Sequence, residues 1–170
     1  SIINPKQSNC KYPFKDLCGA GVAYKLAEAI CISNKLNINL ARNYFDLLTI
    51  AIVADHVPLI DENRIIVYHG LNLINSRNNI GITALSKIKK FKNNIINTSY
   101  LKHYIIPRLN SAGRLGDASR AVKLLTTNNI ANAVELSKTL EIENQRRKII
   151  TDDIIEEAIY IVAQNNDSIK

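Results

Sequence analysis

One helical pattern dominates the chain. It begins near Asn129, a residue suited to capping, and runs to about Gln164. That is long for a helix of a globular domain. Its apolar residues form two groups, Val134, Leu136 and Leu140, then Ile150, Ile154, Ala158 and Ile161, separated by Glu143 to Lys148, which is polar on every side. A helix wetted all round in its middle bridges two bodies rather than lying on one. Residues 129–165 therefore read as a connector towards something beyond Lys170, with 166–170 a truncated tail and 1–128 the body.

With 170 residues, 46% of them apolar and 22% charged, the body has material for one full core and not for two. Such a composition excludes disordered and collagenous classes. No apolar run approaches the roughly 20 residues of a membrane-spanning helix, and Ser1 to Lys15 lack the apolar stretch of a secretory signal. The chain contains no Met, and Ser1-Ile2-Ile3 reads like the middle of a strand, so a piece of a longer reading frame is expected. Cys10, Cys18 and Cys31 show neither CxxC spacing nor the paired histidines of a zinc set. Reduced, buried thiols in a cytoplasmic protein are the expectation.

The formal charge of +7 is local. From Asn63 to Gly116 there are nine basic residues (Arg64, Arg77, Lys87, Lys89, Lys90, Lys92, Lys102, Arg108 and Arg114) and no Asp or Glu, whereas the other 116 residues carry 13 basic against 15 acidic. Such a segment suits a surface that meets a polyanion. Ile, Asn and Lys supply 27, 21 and 14 residues, all with A/T-rich codons, so for Lys87 to Lys92 a plain solvated face is an equal alternative.

Ile2-Ile3 looks like the end of a strand stopped by Asn4-Pro5. A helix is expected from about Gly19 to Lys35, its glycines packed close to a neighbouring backbone. Asn43 to Ala54 is a buried element that periodicity cannot assign to helix or strand, closed by Pro58. Asp61 suits the cap of a helix from Glu62 to about Asn75, and shorter helices are expected at 81–90, 98–106 and 117–126.

Two places carry chemistry. Asp55 ends the buried element and is followed by Val57-Pro58, which fixes the exit; a carboxylate so held suits a hard cation such as Mg2+ or Mn2+. A capping or buried hydrogen-bonding role fits it equally. The second is Pro107 to Asp117, where Arg108 and Arg114 flank a turn of small residues and Gly113 and Gly116 would let backbone amides approach an anion. Arginine supplies the bidentate donors that phosphate accepts; pairing with Asp117 is the structural alternative.

Ile3 to Gln7 and Cys10 to Ala23 resemble the stretch that follows the Asp-His-His motif in the RecJ family of DHH phosphoesterases. Val53 to Leu59 with Glu62-Asn63-Arg64, Pro107 to Ala118, and Leu140 to Arg147 continue the resemblance in the family's order over essentially the whole chain. It implies a two-domain exonuclease acting on single-stranded DNA from the 5′ end, cytoplasmic, monomeric and without membrane association, whose cofactor is Mn2+ or Mg2+, a pair of ions in the complete enzyme. It implies that Asp55 binds the metal, that Arg108, Asn110 and Arg114 bind the phosphates of the strand, and that the long helix joins two domains. The parent domain would be α/β, with 1–128 its C-terminal part; this chain would be predominantly α-helical with few strands, ending in the connector helix. His56 stands where the family commonly has an apolar residue, and Ser111 replaces a usual Ala. The alternatives are a basic helical module that only binds nucleic acid, or another DHH phosphodiesterase acting on short oligonucleotides or cyclic dinucleotides.

Overall fold

The computed structural model describes residues 2–89, 95–115 and 117–165. Lys90, Lys92, Gly116 and the tail 166–170, all part of the sequence reading, lie outside the described residues. Among the described residues every regular element is a helix: α1 (Gly19–Ser33), α2 (Asn39–Arg42), α3 (Phe45–Ala54), α4 (Asp61–Asn75), α5 (Ile80–Ile88), a continuous run of α6 (Thr98–Tyr100), a π-helical turn (Leu101–Ile105) and α7 (Ile106–Leu115), then α8 (Ser119–Thr126) and α9 (Ile130–Asn165). Ile2-Ile3 is exposed and irregular rather than a strand end. A strand needs a partner to share its ladder, and no described residue provides one.

The continuous apolar run resolves as helix α3, because it is covered on two sides. Ile50 belongs to a core built with Ile74, Ile82, Leu85, Leu101 and Ile105, while Phe45, Leu48 and Ile52 belong to a second core with Tyr24, Ile66 and Val67. Helix α4 crosses α3 at very short range. A Cβ on Gly70 would lie 2.3 Å from the Phe45 carbonyl oxygen and 1.9 Å from Thr49 Oγ1. Gly81 is equally confined, 2.0 Å from the Leu124 carbonyl oxygen of α8. Neither matches the glycines expected to pack closely: a Cβ on Gly19 meets nothing within 4 Å, and Gly21 abuts only Leu17 and Cys18.

The segment 107–115 is helix, not a turn of small residues. Pro107 is tolerated inside the run because a π turn precedes it: Ile106 donates to the Leu101 carbonyl five residues back, and the residue without an N–H comes next. Helix α4 begins at Asp61 itself, with Ile60 extended before it, so Asp61 is its first residue and not its cap. Asn129 does cap α9, accepting from the Asn132 N–H at 3.1 Å.

The polar middle of α9 is the largest departure from the sequence pattern. Asn144 is buried, Glu141 pairs with Arg108 of α7, and Glu143 pairs with Arg120 of α8. Those residues anchor the helix instead of bathing in water. From Lys148 to Gln164 every residue is exposed, including Ile149, Ile154, Ile159 and Val162.

Gly70→Ala should lower stability by about 2 kcal/mol or more, because the Phe45 carbonyl as well as Thr49 Oγ1 occupies the space and backbone cannot swing away. Gly113→Ala, whose Cβ would meet only Ala118 at 3.8 Å, should raise it by about 0.5–1 kcal/mol through helix propensity. Urea unfolding midpoints at unchanged m measure both.

Candidate functional site

Asp55 is the C-terminal cap of α3, and its N–H closes the last turn on the Ala51 carbonyl at 2.9 Å. The carboxylate is exposed and has no hydrogen-bond or ion-pair partner among the described residues. The neighbouring His56 is left-handed, φ 54°, a conformation uncommon outside glycine. The chain therefore turns sharply at this point and heads into Val57-Pro58.

A residue not singled out by sequence reasoning holds that exit. Asn63, fully buried in the first turns of α4, donates through Nδ2 to the Pro58 carbonyl at 3.0 Å and to the Asp16 carbonyl at 2.9 Å. One amide thus ties the chain after Asp55 to the loop before α1. Beside it, Glu62 accepts from Tyr12 and pairs with Lys25 at 2.6 Å. Burial works against the charge of Lys25, but Glu62 and Glu28 outweigh it and hold the ammonium above its ordinary pKa. Burial also opposes the charge on Glu62, and Lys25 with Tyr12 holds its carboxyl below the usual range. The available signal was the Glu-Asn pair itself, one helical turn beyond Pro58; its partners lie far away in sequence.

The run 98–115 is positioned from α4 as well. Asn75 donates to the Ile96 carbonyl and accepts from the Ile96 N–H, both at 2.8 Å, and Asn97 caps the run by accepting from Tyr100. Its buried side presents Leu101, Ile105, Ile106 and Ala112; its exposed side presents Lys102, His103, Asn110, Gly113 and Arg114. Asn110 and Arg114, four residues apart, are neighbours on one helical face. Arg114 has no partner among the described residues, and Asp117 turns instead to Ser119, whose hydroxyl and N–H hold its carboxyl below the ordinary value.

Arg108 stands apart from that face. It is 6% exposed, it donates to the Tyr104 carbonyl at 2.6 Å, and it pairs with Glu141. Its guanidinium is enclosed between α7 and α9 rather than offered to solvent. Ser111 is buried beside it and donates to the Arg108 carbonyl at 2.6 Å.

Mn2+ and Mg2+ require several oxygen ligands. Among the described residues no group of three or more His, Cys, Asp or Glu side chains is placed to hold an ion. Asp55 can supply one ligand; these residues do not by themselves form a metal site.

No protein-family model matches the chain. Its sequence is similar to that of the single-stranded-DNA-specific exonuclease RecJ of Haemophilus influenzae, 38% identical over 169 residues, covering 95% of this chain and 29% of that protein. RecJ of Bacillus subtilis is 37% identical over 164 residues, covering 96% of this chain and 20% of that protein. The fold matches the crystal structure of RecJ from Thermus thermophilus in complex with Mn2+, with a TM-score of 0.76 at 30% identity over 89% of this chain and 22% of that one. The complex of the same protein with Mg2+ gives 0.77 over 86% and 23%. The chain thus spans less than a third of the length of these relatives. By sequence and by fold, the chain is homologous to a segment of RecJ proteins.

Proposed function

We propose that the protein carrying this segment is a metal-dependent exonuclease of the DHH class that degrades single-stranded DNA from the 5′ end to mononucleotides, in DNA repair and recombination. The observation that carries the proposal is Asp55: an exposed carboxylate without a partner among the described residues, at the end of a helix buried on two sides, on a turn held by a buried amide. In that enzyme Asp55 is one oxygen ligand of the catalytic Mn2+ or Mg2+, and residues outside this chain complete the site. Asn110 and Arg114 contact strand phosphates. Arg108 acts indirectly, holding α7 on α9 so that this face keeps its orientation. Helix α9 connects two domains, the second of which covers its bare distal half. The free thiols of Cys10, Cys18 and Cys31 suit a cytoplasmic protein, and no described helix is long and apolar enough to cross a membrane.

In the full-length protein, Asp55→Ala should slow mononucleotide release from single-stranded DNA by at least ~100-fold with little change in strand affinity. Residues 1–170 alone should release none with Mn2+. An active Asp55→Ala enzyme would remove the metal-ligand assignment.

The two arginines should separate cleanly. Arg114→Ala should reduce the magnitude of the log K against log salt slope by roughly 0.7 for any DNA sequence and leave stability within about 0.5 kcal/mol. Arg108→Ala leaves Glu141 without its partner and should cost about 3 kcal/mol of stability. Equal slopes for Arg114→Ala and the parent protein would return Arg114 to a plain surface residue.

Asn63→Leu removes both carbonyl tethers but keeps the branched shape. It should raise the Mn2+ concentration needed for half-maximal activity several-fold while activity at saturating Mn2+ largely recovers, since the ligand is misplaced and not lost. A fall in maximal rate at unchanged Mn2+ dependence would contradict a positioning role.

A further inference from the structure

We infer that the shallow pocket between the Asp55 turn and the start of the helical run 98–115 is a nucleotide subsite, holding one base and its phosphate from a single strand. The inference rests on the nuclease reading above and adds a binding position to it. The pocket encloses about 310 Å3. Ile52, Val53 and Val57 make an apolar floor, while His56, Lys102 and His103 stand around it. The hydroxyl-bearing Thr98 and Ser99 complete the polar side.

All three rim side chains are exposed, and none has a hydrogen-bond or ion-pair partner among the described residues. They are therefore uncommitted, unlike Arg108 and Lys25, whose charges are matched within the fold. An apolar floor with two imidazoles offers flat surfaces against which any base can stack, which is how sequence-indifferent single-strand binding gains affinity. Lys102 supplies a point charge for the attached phosphate, and it belongs to the segment from Asn63 to Gly116 that contains no acidic residue. The acidic neighbour is Asp55, one residue before His56, and the proposed cation answers its charge. From His103 to Arg114 the helical run advances roughly 16 Å, so this subsite and the Asn110–Arg114 face act on different nucleotides of the same strand.

The test uses the full-length protein without divalent metal, so that strand binding is read by fluorescence anisotropy without turnover. The probe is a deoxythymidine oligonucleotide of about twelve residues, together with a series carrying one abasic residue stepped along it. His56→Asn, which tolerates the left-handed backbone, and His103→Ala should each weaken binding roughly fivefold or more. Lys102→Gln should reduce the salt slope by roughly 0.7. As these side chains are exposed, thermal unfolding should not move. One abasic position should weaken binding by the parent protein yet cost the histidine variants nothing further, the coupling that a contact requires and a loss of folding does not produce. If the parent binds the oligonucleotide, and degrades it once Mn2+ is restored, while the variants match its affinity, or abasic penalties are identical in parent and variants at every position, the subsite is wrong and the nuclease reading stands. If the parent binds no single strand at all, both readings fall.

Discussion

Helix α3 is the constraint on which the rest depends, because it is shared by two cores. Its faces are claimed by different partners, so it cannot rotate or slide without opening one side. The close crossing at Gly70 fixes the distance to α4, and Thr49 spends its hydroxyl on the Ile66 carbonyl across that crossing. Even the acidic residue in the helix is enclosed: burial pushes the Asp46 carboxyl up, and it accepts from the Leu47 N–H. An element held this tightly delivers its last residue to a definite place. Asp55 inherits its position from packing that begins ten residues earlier, and Asn63 fixes the departure.

What sequence reasoning could see was local. Apolar spacing located α1, α4, α5 and the long C-terminal helix to within a few residues, since each has a face whose period is written in its own residues. The run from Asn43 to Ala54 has no such face, so its helical state depended on neighbours. Glu141, Glu143 and Asn144 show the same limit from the other side. As a pattern they are polar, yet Asn144 is buried, and the partners of Glu141 and Glu143, Arg108 and Arg120, lie on separate helices. The small residues between Arg108 and Arg114, Gly113 among them, suggested a turn, whereas the helix continues through Pro107 because a π turn precedes it.

Charge counting was informative about a region and silent about roles. Within the acid-free segment, Arg108 is consumed by Glu141, Arg77 donates to Ser86 at 3.2 Å, and Lys89 sits over the Tyr104 ring at 5.0 Å. Lys102 and Arg114 remain presented to solvent on one helical run. A net excess of cations therefore overstates the surface available to a polyanion, and the discriminating property is whether a cation already has a partner. The candidate site follows the same logic: Asp55 is distinguished less by its residue type than by being left unanswered.

The anchoring of α9 has a mechanical consequence. Ion pairs and a buried asparagine grip the helix up to about Arg147, and from Lys148 to Gln164 the helix packs against none of the described residues closely enough to bury a side chain. At 1.5 Å per residue this arm is about 25 Å long. A tilt of roughly 10° at the grip would sweep its tip by about 4 Å. The grip includes Arg108, the residue that seats α7 on α9, so a displacement of α7 would be transmitted along the arm, and a load on the arm would be felt at α7 in return.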